Sequence, residues 1–266
     1  MPVVRPTGYN PQAPVRMRIL ILSDIHSNLE ALQACLAEAP AHDVLVNLGD
    51  IVGYGASPNE VIESSRQSGK LFVRGNHDKA ACGLMEVTDF NPVAGMAALW
   101  TRDHLTAENL EWLRQLPQGP IRVDEELDAQ FVHGSPIDED EYLVTMRDAQ
   151  EPLTYSSVAL TFFGHTHIQG GFCKNSEKGV LQPVYGSPDK RATYEVKLDP
   201  ETQYLINPGS VGQPRDTDWR AAFAVFDTEA YSLTYYRVPY DLQRAQQRIL
   251  DANLPQRLAQ RLAVGR

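Results

Sequence analysis

The first part of the chain alternates short apolar runs with amphipathic stretches. The runs at Arg18–Leu22, 44–48 and 71–73 are continuous and short, which is typical of strands buried on both faces. Apolar residues recur at helical spacing over 29–36, and Pro58–Ser68 indicates a second helix. The order strand, helix, strand, helix, strand predicts right-handed crossovers and a parallel sheet.

The first helix has sequence signals at both of its ends. Ser27 is followed three residues later by Glu30, which is the spacing of a capping box and predicts Ser27 as the N-cap. Pro40 would end the helix.

The rest of the chain predicts a second group of strands and more helices. A helical region is expected over 92–114, and the apolar segments 121–123 and 129–132 flank an acidic turn as in a hairpin. Further strands are predicted at 160–163, 194–198, 203–206, 222–226 and Ser232–Val238, the last two as a hairpin. A helical segment interrupted by Pro255 follows Asp241. The pattern predicts an α/β fold in which two packed mixed β-sheets are flanked by helices.

Composition sets the domain organisation. A chain of 266 residues that is 42% hydrophobic and 22% charged suits one large domain, or at most a domain with a small appendage. We expect a flexible Pro-rich leader at 1–16, a main domain at 17–240, and a helical segment at 241–266. That last segment could pack on the core or on a second copy of the chain, as in a homo-oligomer.

Several classes of location and partner are disfavoured. No 18-residue apolar stretch and no signal-peptide core occur, so we expect no membrane partner and, by elimination, a cytoplasmic protein. Three scattered cysteines indicate neither a disulfide framework nor a thiolate metal site. A formal net charge of -10 disfavours extended nucleic acid, whereas a small phosphorylated substrate is compatible if metal ions neutralise it locally.

Polar side chains that can bind metal follow five predicted strands. Five of the seven histidines fall in these clusters. In open α/β sheets, ligands bind at this edge. The clusters are Asp24-Ile25-His26, Gly49-Asp50, Gly75-Asn76-His77-Asp78, His133-Gly134 and Gly164-His165-Thr166-His167.

The residue types suit divalent metal ions. An extended backbone would point both side chains of Asp24-x-His26, and both of His165-x-His167, to the same side. Carboxylate oxygen, imidazole nitrogen and one amide oxygen fit Mn²⁺, Fe²⁺, Fe³⁺ or Zn²⁺. There are too many ligands for one ion, so we expect two divalent metal ions that share a carboxylate.

The order of these motifs resembles the calcineurin-like metallophosphoesterase family over residues 17–211. The segments DIHSNLEAL, GDIVGYGASPNE and NPGSVGQPRD are similar to a bacterial subgroup described as diadenosine tetraphosphatase-like or YfcE-like. The resemblance implies a four-layer αββα sandwich and a phosphoesterase that uses a hydroxide shared by both ions as its nucleophile.

The resemblance also implies roles for individual residues. His77 would protonate the leaving oxygen or stabilise the transition state, and Asp78 would orient the His77 ring. One metal would be held by Asp24, His26, Asp50 and His167, and the other by Asp50, Asn76, His133 and His165.

Three residues are candidates for substrate binding, each with a structural alternative. Asn28 could contact phosphate or belong to the helix start. Tyr54 could contact substrate or only form the loop that enters the second helix. Arg215 could clamp a phosphate or pair with Asp216 or Asp218 at the surface.

These observations leave several functions open. The leading one is hydrolysis of phosphate mono- or diesters, with nucleotides among the candidate substrates. A phosphoprotein phosphatase is an alternative in the same reaction class. A non-catalytic scaffold is the alternative from a different class, because the same fold serves as a scaffold in a retromer subunit whose metal site is degraded. Here every signature ligand is present.

Overall fold

The computed structural model describes residues 16–69, 71–175, 179–186 and 191–266. Apart from Arg16, the predicted leader lies outside the described residues. The strands are β1 (Arg18–Leu22), β2 (Val44–Asn47), β3 (Leu71–Phe72), β4 (Ala129–Phe131), β5 (Leu160–Phe162), β6 (Gly170–Asn175), β7 (Leu181–Tyr185), β8 (Thr193–Lys197), β9 (Thr202–Asn207), β10 (Ala221–Asp227) and β11 (Ser232–Val238). The α-helices are α1 (Leu29–Glu38), α2 (Pro58–Ser68), α3 (Asn76–Cys82), α4 (Pro92–His104), α5 (Ala107–Arg114), α6 (Met146–Tyr155), α7 (Leu242–Asp251) and α8 (Gln256–Leu262).

The first sheet contains the strands predicted from the opening apolar runs. Its order is β3-β2-β1-β10-β11-β8. β1, β2 and β3 are parallel, with Ile19 opposite Val44 and Val46 opposite Leu71, so the predicted crossovers are confirmed. The predicted hairpin of β10 and β11 is also present and pairs antiparallel with β1.

The second sheet has the order β4-β5-β9-β6-β7. β4, β5 and β9 are parallel, whereas β6 pairs antiparallel with both β9 and β7. Each sheet therefore contributes parallel strands with neighbouring carboxyl ends, which is the arrangement that brings loop residues together.

Three apolar clusters show how the layers stack. Between the sheets, Ile19 and Val46 of the first sheet share a core with Phe131 and Phe162 of the second. The opposite face of the first sheet packs against α1, α2, α4, α5, α7 and α8. The opposite face of the second sheet packs against α6 through Leu153. The predicted mixed two-sheet sandwich flanked by helices is confirmed.

One prediction about strand pairing requires correction. The segments 121–123 and 129–132 do not form a ladder: they share one bridge, between Ile121 and Phe131, and β4 instead pairs in parallel with β5. The strands on either side of the turn at 199–202 belong to different sheets, β8 to the first and β9 to the second. That turn carries the chain from one layer to the other.

The predicted start of α1 is wrong by one residue. Asn28 is the N-cap, and its side-chain oxygen accepts a hydrogen bond from Ala31 N at 3.2 Å. Ser27 has a left-handed backbone, with φ of 53°. Glu30 does not reach back to the cap but forms an ion pair with Arg248 of α7 at 2.6 Å.

The last two helices pack on the first sheet's helical layer. Ala245, Ile249 and Leu258 are buried in the same cluster as residues of α1. The ion pair between Glu30 and Arg248 joins α7 to α1, the helix that follows Asp24 and His26. Among the described residues, none of the helices combines the length and the apolar character needed to cross a membrane.

Candidate metal centre

The loops after β1, β2, β4 and β5 meet at one edge of the two sheets. Asp24 N donates to Gly49 O at 3.0 Å, which joins the first two loops. Gly164 N donates to His133 O at 2.8 Å and joins the loops of the second sheet. Gly212 N, from the segment after β9, donates to Asp24 O at 2.9 Å and links the two sheets. Backbone hydrogen bonds thus hold these loops together.

The backbone at the motifs is left-handed, not extended. Ten described non-glycine residues have φ between 46° and 66°, and half of them are predicted ligands. These are Asp24, His26, Asp50, His165 and His167. The explanation from an extended backbone is therefore wrong, although the side chains do converge. Such conformations cost energy and persist where the surrounding structure imposes them, often at functional sites.

The first group of potential ligands joins residues from both sheets. Asp24, His26, Asp50 and His167 are buried, and one ligand atom of each lies within 4.8 Å of the others. His167 Nε2 is 3.3 Å from Asp24 Oδ1 and 3.2 Å from His26 Nε2. His26 Nε2 is 3.5 Å from Asp50 Oδ2. This spacing suits ligands that surround one ion.

The second group contains Asp50, His133 and His165, which meet the same 4.8 Å limit. His133 Nε2 is 3.5 Å from Asp50 Oδ2 and 3.1 Å from His165 Nδ1. Asp50 Oδ2 therefore faces one histidine from each group. The structure brings together the predicted aspartates and histidines as two ligand groups that have one carboxylate in common.

Each histidine in the two groups uses one ring nitrogen to contact a backbone carbonyl. His26 Nδ1 contacts Val52 O at 3.0 Å, His133 Nδ1 contacts Leu48 O at 2.8 Å, His165 Nε2 contacts Asp140 O at 3.1 Å, and His167 Nδ1 contacts Gln213 O at 2.7 Å. Only a protonated nitrogen can donate to a carbonyl, so the neutral ring has its lone pair on the other nitrogen. That nitrogen faces the cluster in every case, as in known metal sites.

Asn76 lies beside the shared carboxylate at the start of α3. Its Oδ1 atom is buried and has no hydrogen-bond partner among the described residues. An unpartnered buried amide oxygen is unfavourable and is suited to a metal ligand. Gly75 permits the close approach, because a Cβ there would lie 2.1 Å from Asp50 Oδ1. The donor set therefore fits divalent metal ions.

Burial and neighbouring charge shift the pKa values of these groups. Burial lowers the pKa of three histidines well below the usual 6.5, namely His26, His165 and His167. Burial also acts to lower the pKa of His133, but the Asp50 carboxylate raises it to about 9. Burial raises the pKa of Asp24 from 3.8 to about 7. Near pH 7, three of the four rings are thus neutral, as metal binding requires.

The His77 ring lies beside the first ligand group, but Asp78 does not orient the ring. The His77 ring centroid is 4.8 Å from that of His26 and 4.3 Å from that of Tyr54, and burial lowers its pKa to about 4. Asp78 instead accepts hydrogen bonds from the backbone N–H groups of Ile51, Val52 and Gly75 at 2.9, 3.1 and 3.0 Å. The predicted contact with the His77 ring is therefore wrong, because both carboxylate oxygens hold the loop after β2 and the start of α3.

The three candidate substrate residues have different surroundings. Asn28 caps α1 through its Oδ1 atom, and its Nδ2 donates to Gly212 O at 2.9 Å, so both polar atoms of its side chain have partners within the protein. Tyr54 lines a cleft of about 380 Å³ together with Asn76, His77 and His165. Arg215 Nη2 lies 3.4 Å from Tyr54 Oη.

Sequence reasoning missed several residues around this cleft. The Tyr142 ring stacks on His165 with centroids 3.6 Å apart. The Lys79 ammonium holds the Asp140 carboxylate at 2.6 Å, and the carbonyl of Asp140 orients His165. Arg261 of α8 lies over the Tyr54 ring. The acidic run 138–141 and the aromatic residue at 142 lie close to His133 in the sequence, and this was a signal that they could lie near the cleft. No feature of the sequence around Arg261 indicated that it would lie near Tyr54.

The chain is similar to known proteins over most of its length. Residues 17–231 match the family model described as the calcineurin-like phosphoesterase superfamily domain. An uncharacterized protein of Methanocaldococcus jannaschii is 37% identical over 257 residues, which cover 95% of this chain and all of that protein.

Two solved structures are also similar. The crystal structure of a metallophosphoesterase from Sphaerobacter thermophilus is 38% identical with a TM-score of 0.81, covering 95% of this chain and 100% of that one. A hypothetical protein from Pyrococcus horikoshii OT3 shares the fold at 19% identity and a TM-score of 0.74, with coverage of 94% and 98%. The chain therefore belongs to the calcineurin-like phosphoesterase superfamily and is a metal-dependent phosphoesterase with a buried Asp/His metal-binding cluster.

Proposed function

We propose that this protein is a dinuclear phosphoesterase that hydrolyses small phosphate mono- or diesters, nucleotides among them. The observation that carries the proposal is the position of Asp50 in both ligand groups, with His26 Nε2 and His133 Nε2 each 3.5 Å from its Oδ2 atom. The first ion would be held by Asp24, His26, Asp50 and His167. The second would be held by Asp50, Asn76, His133 and His165.

Two divalent ions would supply the positive charge that activates water and neutralises the phosphoryl oxygens. The protein's contribution is to hold the ligands before substrate arrives. The backbone carbonyls fix the ring orientations, and His165 N donates to Asp24 at 3.2 Å. The N–H of His77 donates to Asp50 Oδ1 at 2.8 Å, which leaves Oδ2 facing both groups. Such fixed donors and acceptors lower the reorganisation needed during reaction.

His77 and Arg215 would act on the substrate itself. The His77 ring lines the cleft, where it can contact a phosphoryl or leaving-group oxygen. Arg215 lies beside Tyr54, which lines the same cleft, and its guanidinium can bind a phosphoryl group with two hydrogen bonds. The cleft of about 380 Å³ fits a small organic phosphate.

The test combines metal analysis with two chromogenic esters. We expect the manganese-loaded protein to contain about two ions per chain and to release 4-nitrophenol from bis(4-nitrophenyl) phosphate or from 4-nitrophenyl phosphate. A chelator should abolish the release, and added Mn²⁺ should restore it. A single ion per chain at saturating metal would contradict the dinuclear centre. No release from either ester with manganese, iron or zinc would contradict the proposed reaction.

A further inference from the structure

Ion pairs hold the loop after β4, residues 135–142, against the start of α3. The guanidinium of Arg74 donates to the Glu139 carboxylate through Nε at 2.9 Å and through Nη2 at 2.8 Å. The Lys79 ammonium contacts both carboxylate oxygens of Asp140, at 2.7 and 2.6 Å, and Glu139 Oε1 at 3.0 Å. Only 5% of Lys79 is exposed. Since α3 follows a strand of the first sheet and the loop follows a strand of the second, these contacts join the two sheets beside the cleft.

Asp140 is contacted through both its side chain and its main chain. Its carboxylate binds Lys79, and its carbonyl oxygen is 3.1 Å from His165 Nε2. Two residues further along the same loop, the Tyr142 ring stacks on the His165 ring with centroids 3.6 Å apart. The loop therefore meets the His165 ring at one nitrogen and on one face. A change in the position of Asp140 would alter both contacts.

His165 is held differently from the other three histidines of the ligand groups. Its Nδ1 atom faces the second group, whereas the other three rings present Nε2 and contact a carbonyl through Nδ1. The carbonyls that hold those three rings belong to residues that are at most 2% exposed, namely Leu48, Val52 and Gln213. By contrast, the Asp140 side chain is 34% exposed. The position of the Asp140 carbonyl therefore depends on the contacts that hold its loop, and Lys79 makes its contact at Asp140 itself.

We propose that Lys79 is a positioning residue for the second metal ion. By holding Asp140, it keeps the carbonyl where His165 Nε2 can donate to it, so that the lone pair of the ring lies on Nδ1 and points at the second ligand group. The first ion would not depend on Lys79, because the carbonyls that hold His26 and His167 lie outside the loop. This inference rests on the proposed function, which places a second ion at Asp50, Asn76, His133 and His165.

Lys79→Met removes the ammonium and keeps a long unbranched side chain. Calorimetric titration of the full chain with Mn²⁺ should show one ion whose Kd stays within about threefold of the parent and one ion bound about 10–100-fold more weakly, the loss expected when a residue behind a ligand is removed. At a free Mn²⁺ concentration that saturates the parent, electron paramagnetic resonance should show a coupled pair of ions in the parent and isolated ions in the variant. Lys79→Arg keeps a charged donor and should bind the second ion more tightly than Lys79→Met.

Arg248→Met is the matched control, because it also removes an ion pair of 2.6 Å, the one with Glu30, while Arg244 stays 3.2 Å from the same carboxylate. It should bind both ions as the parent does, and melting temperatures should show that all variants are folded. Unchanged binding of both ions in Lys79→Met, or equal weakening of the two, would overturn the positioning role. An ion pair that only stabilises the fold gives no reason for one ion to be affected more than the other.

The His165 ring provides a second measurement that needs neither metal nor activity. Long-range ¹H–¹⁵N spectra of the metal-free full chain distinguish a ring protonated on Nε2 from one protonated on Nδ1. We expect the Nε2 form in the parent and in Arg248→Met, and a mixture of both forms in Lys79→Met. The Nε2 form alone in Lys79→Met would contradict the proposal. If the parent binds a single ion, the dinuclear centre fails separately, and the protonation of the ring still decides whether Lys79 positions His165.

Discussion

The two sides of the cleft are built differently. At the ligand groups, Asp24 and His133 are fully buried and every histidine contacts a backbone carbonyl. At the opposite side, Tyr142 is 48% exposed, and the described partners of Arg215 are Tyr54 Oη and Gln213 Oε1 rather than a carboxylate. The first side is fixed by the fold and suits a reaction common to many phosphate esters. The second side has fewer such fixed contacts at Tyr142, and we expect it to select among substrates.

Asp50→Asn should give the largest effect, because Asp50 belongs to both ligand groups. We expect activity to fall at least about 10³-fold, more than the 10–100-fold lost when only a residue behind a ligand is removed. Metal content should fall below about two ions per chain, as elemental analysis would show. The control is Asp43→Asn, at an exposed aspartate before β2, which should keep the activity and the metal content of the parent. Two bound ions and activity within tenfold of the parent would show that the shared carboxylate is dispensable.

His77→Ala should separate reaction from metal binding. Since the ring lines the cleft without belonging to either ligand group, we expect kcat to fall about 10²–10⁴-fold while metal content stays unchanged. His42→Ala is the control at an exposed histidine outside the cleft. Loss of metal in His77→Ala, or kcat within threefold of the parent, would argue against a direct role.

Metal should stabilise the protein more at pH 8 than at pH 5.5. Burial raises the pKa of Asp24 from 3.8 to about 7, so the metal-free folded protein keeps a proton that the unfolded chain releases near pH 4. The stability that this proton provides at low pH is lost as pH rises through about 7. A metal needs the carboxylate and competes with that proton. At a Mn²⁺ concentration of 100 times the Kd at pH 8, the metal should add about 2.7 kcal/mol at that pH, or roughly 5–10 °C in Tm. The same concentration should add less at pH 5.5, where Kd is higher. An equal Tm shift at both pH values would contradict the assignment of Asp24 as a ligand.

Arg215→Gln should give the smallest of these effects and should act on binding. Losing a charge-assisted contact to phosphate should raise KM about tenfold and change kcat less. Steady-state kinetics would show the split, with Arg147→Gln as the exposed control. If kcat falls as much as it does in His77→Ala, the two sides of the cleft do not differ as we infer.

The sequence predicts the metal-binding side better than the other. Asp24, Asp50 and His133 could be found because each follows a short apolar strand, and strand ends meet at one edge whatever the details of packing. The position of Arg261 could not be found in this way, since its contact with Tyr54 depends on how α8 packs against the rest of the fold. No periodicity within α8 carries that information.

The elements that the sequence did not predict have weak local signals. β6 begins with Gly170 and Gly171, and β7 contains Pro183, which an edge strand tolerates but which obscures the pattern. α6 contains Pro152, and α3 has only seven residues. The left-handed backbone at the ligands could not be predicted either, because a positive φ is uncommon for any non-glycine residue and depends on the surrounding structure.

The interface between the sheets bears directly on the chemistry. Asp24 and Asp50 follow strands of one layer, whereas His133, His165 and His167 follow strands of the other. Any sliding of one layer over the other would change the separation of these ligands, and the stacked rings of Phe131 and Phe162 lie in the core that prevents it. Residues that belong to neither ligand group thereby set the spacing between the two groups, and we expect a cavity in this interior to change the affinity for metal.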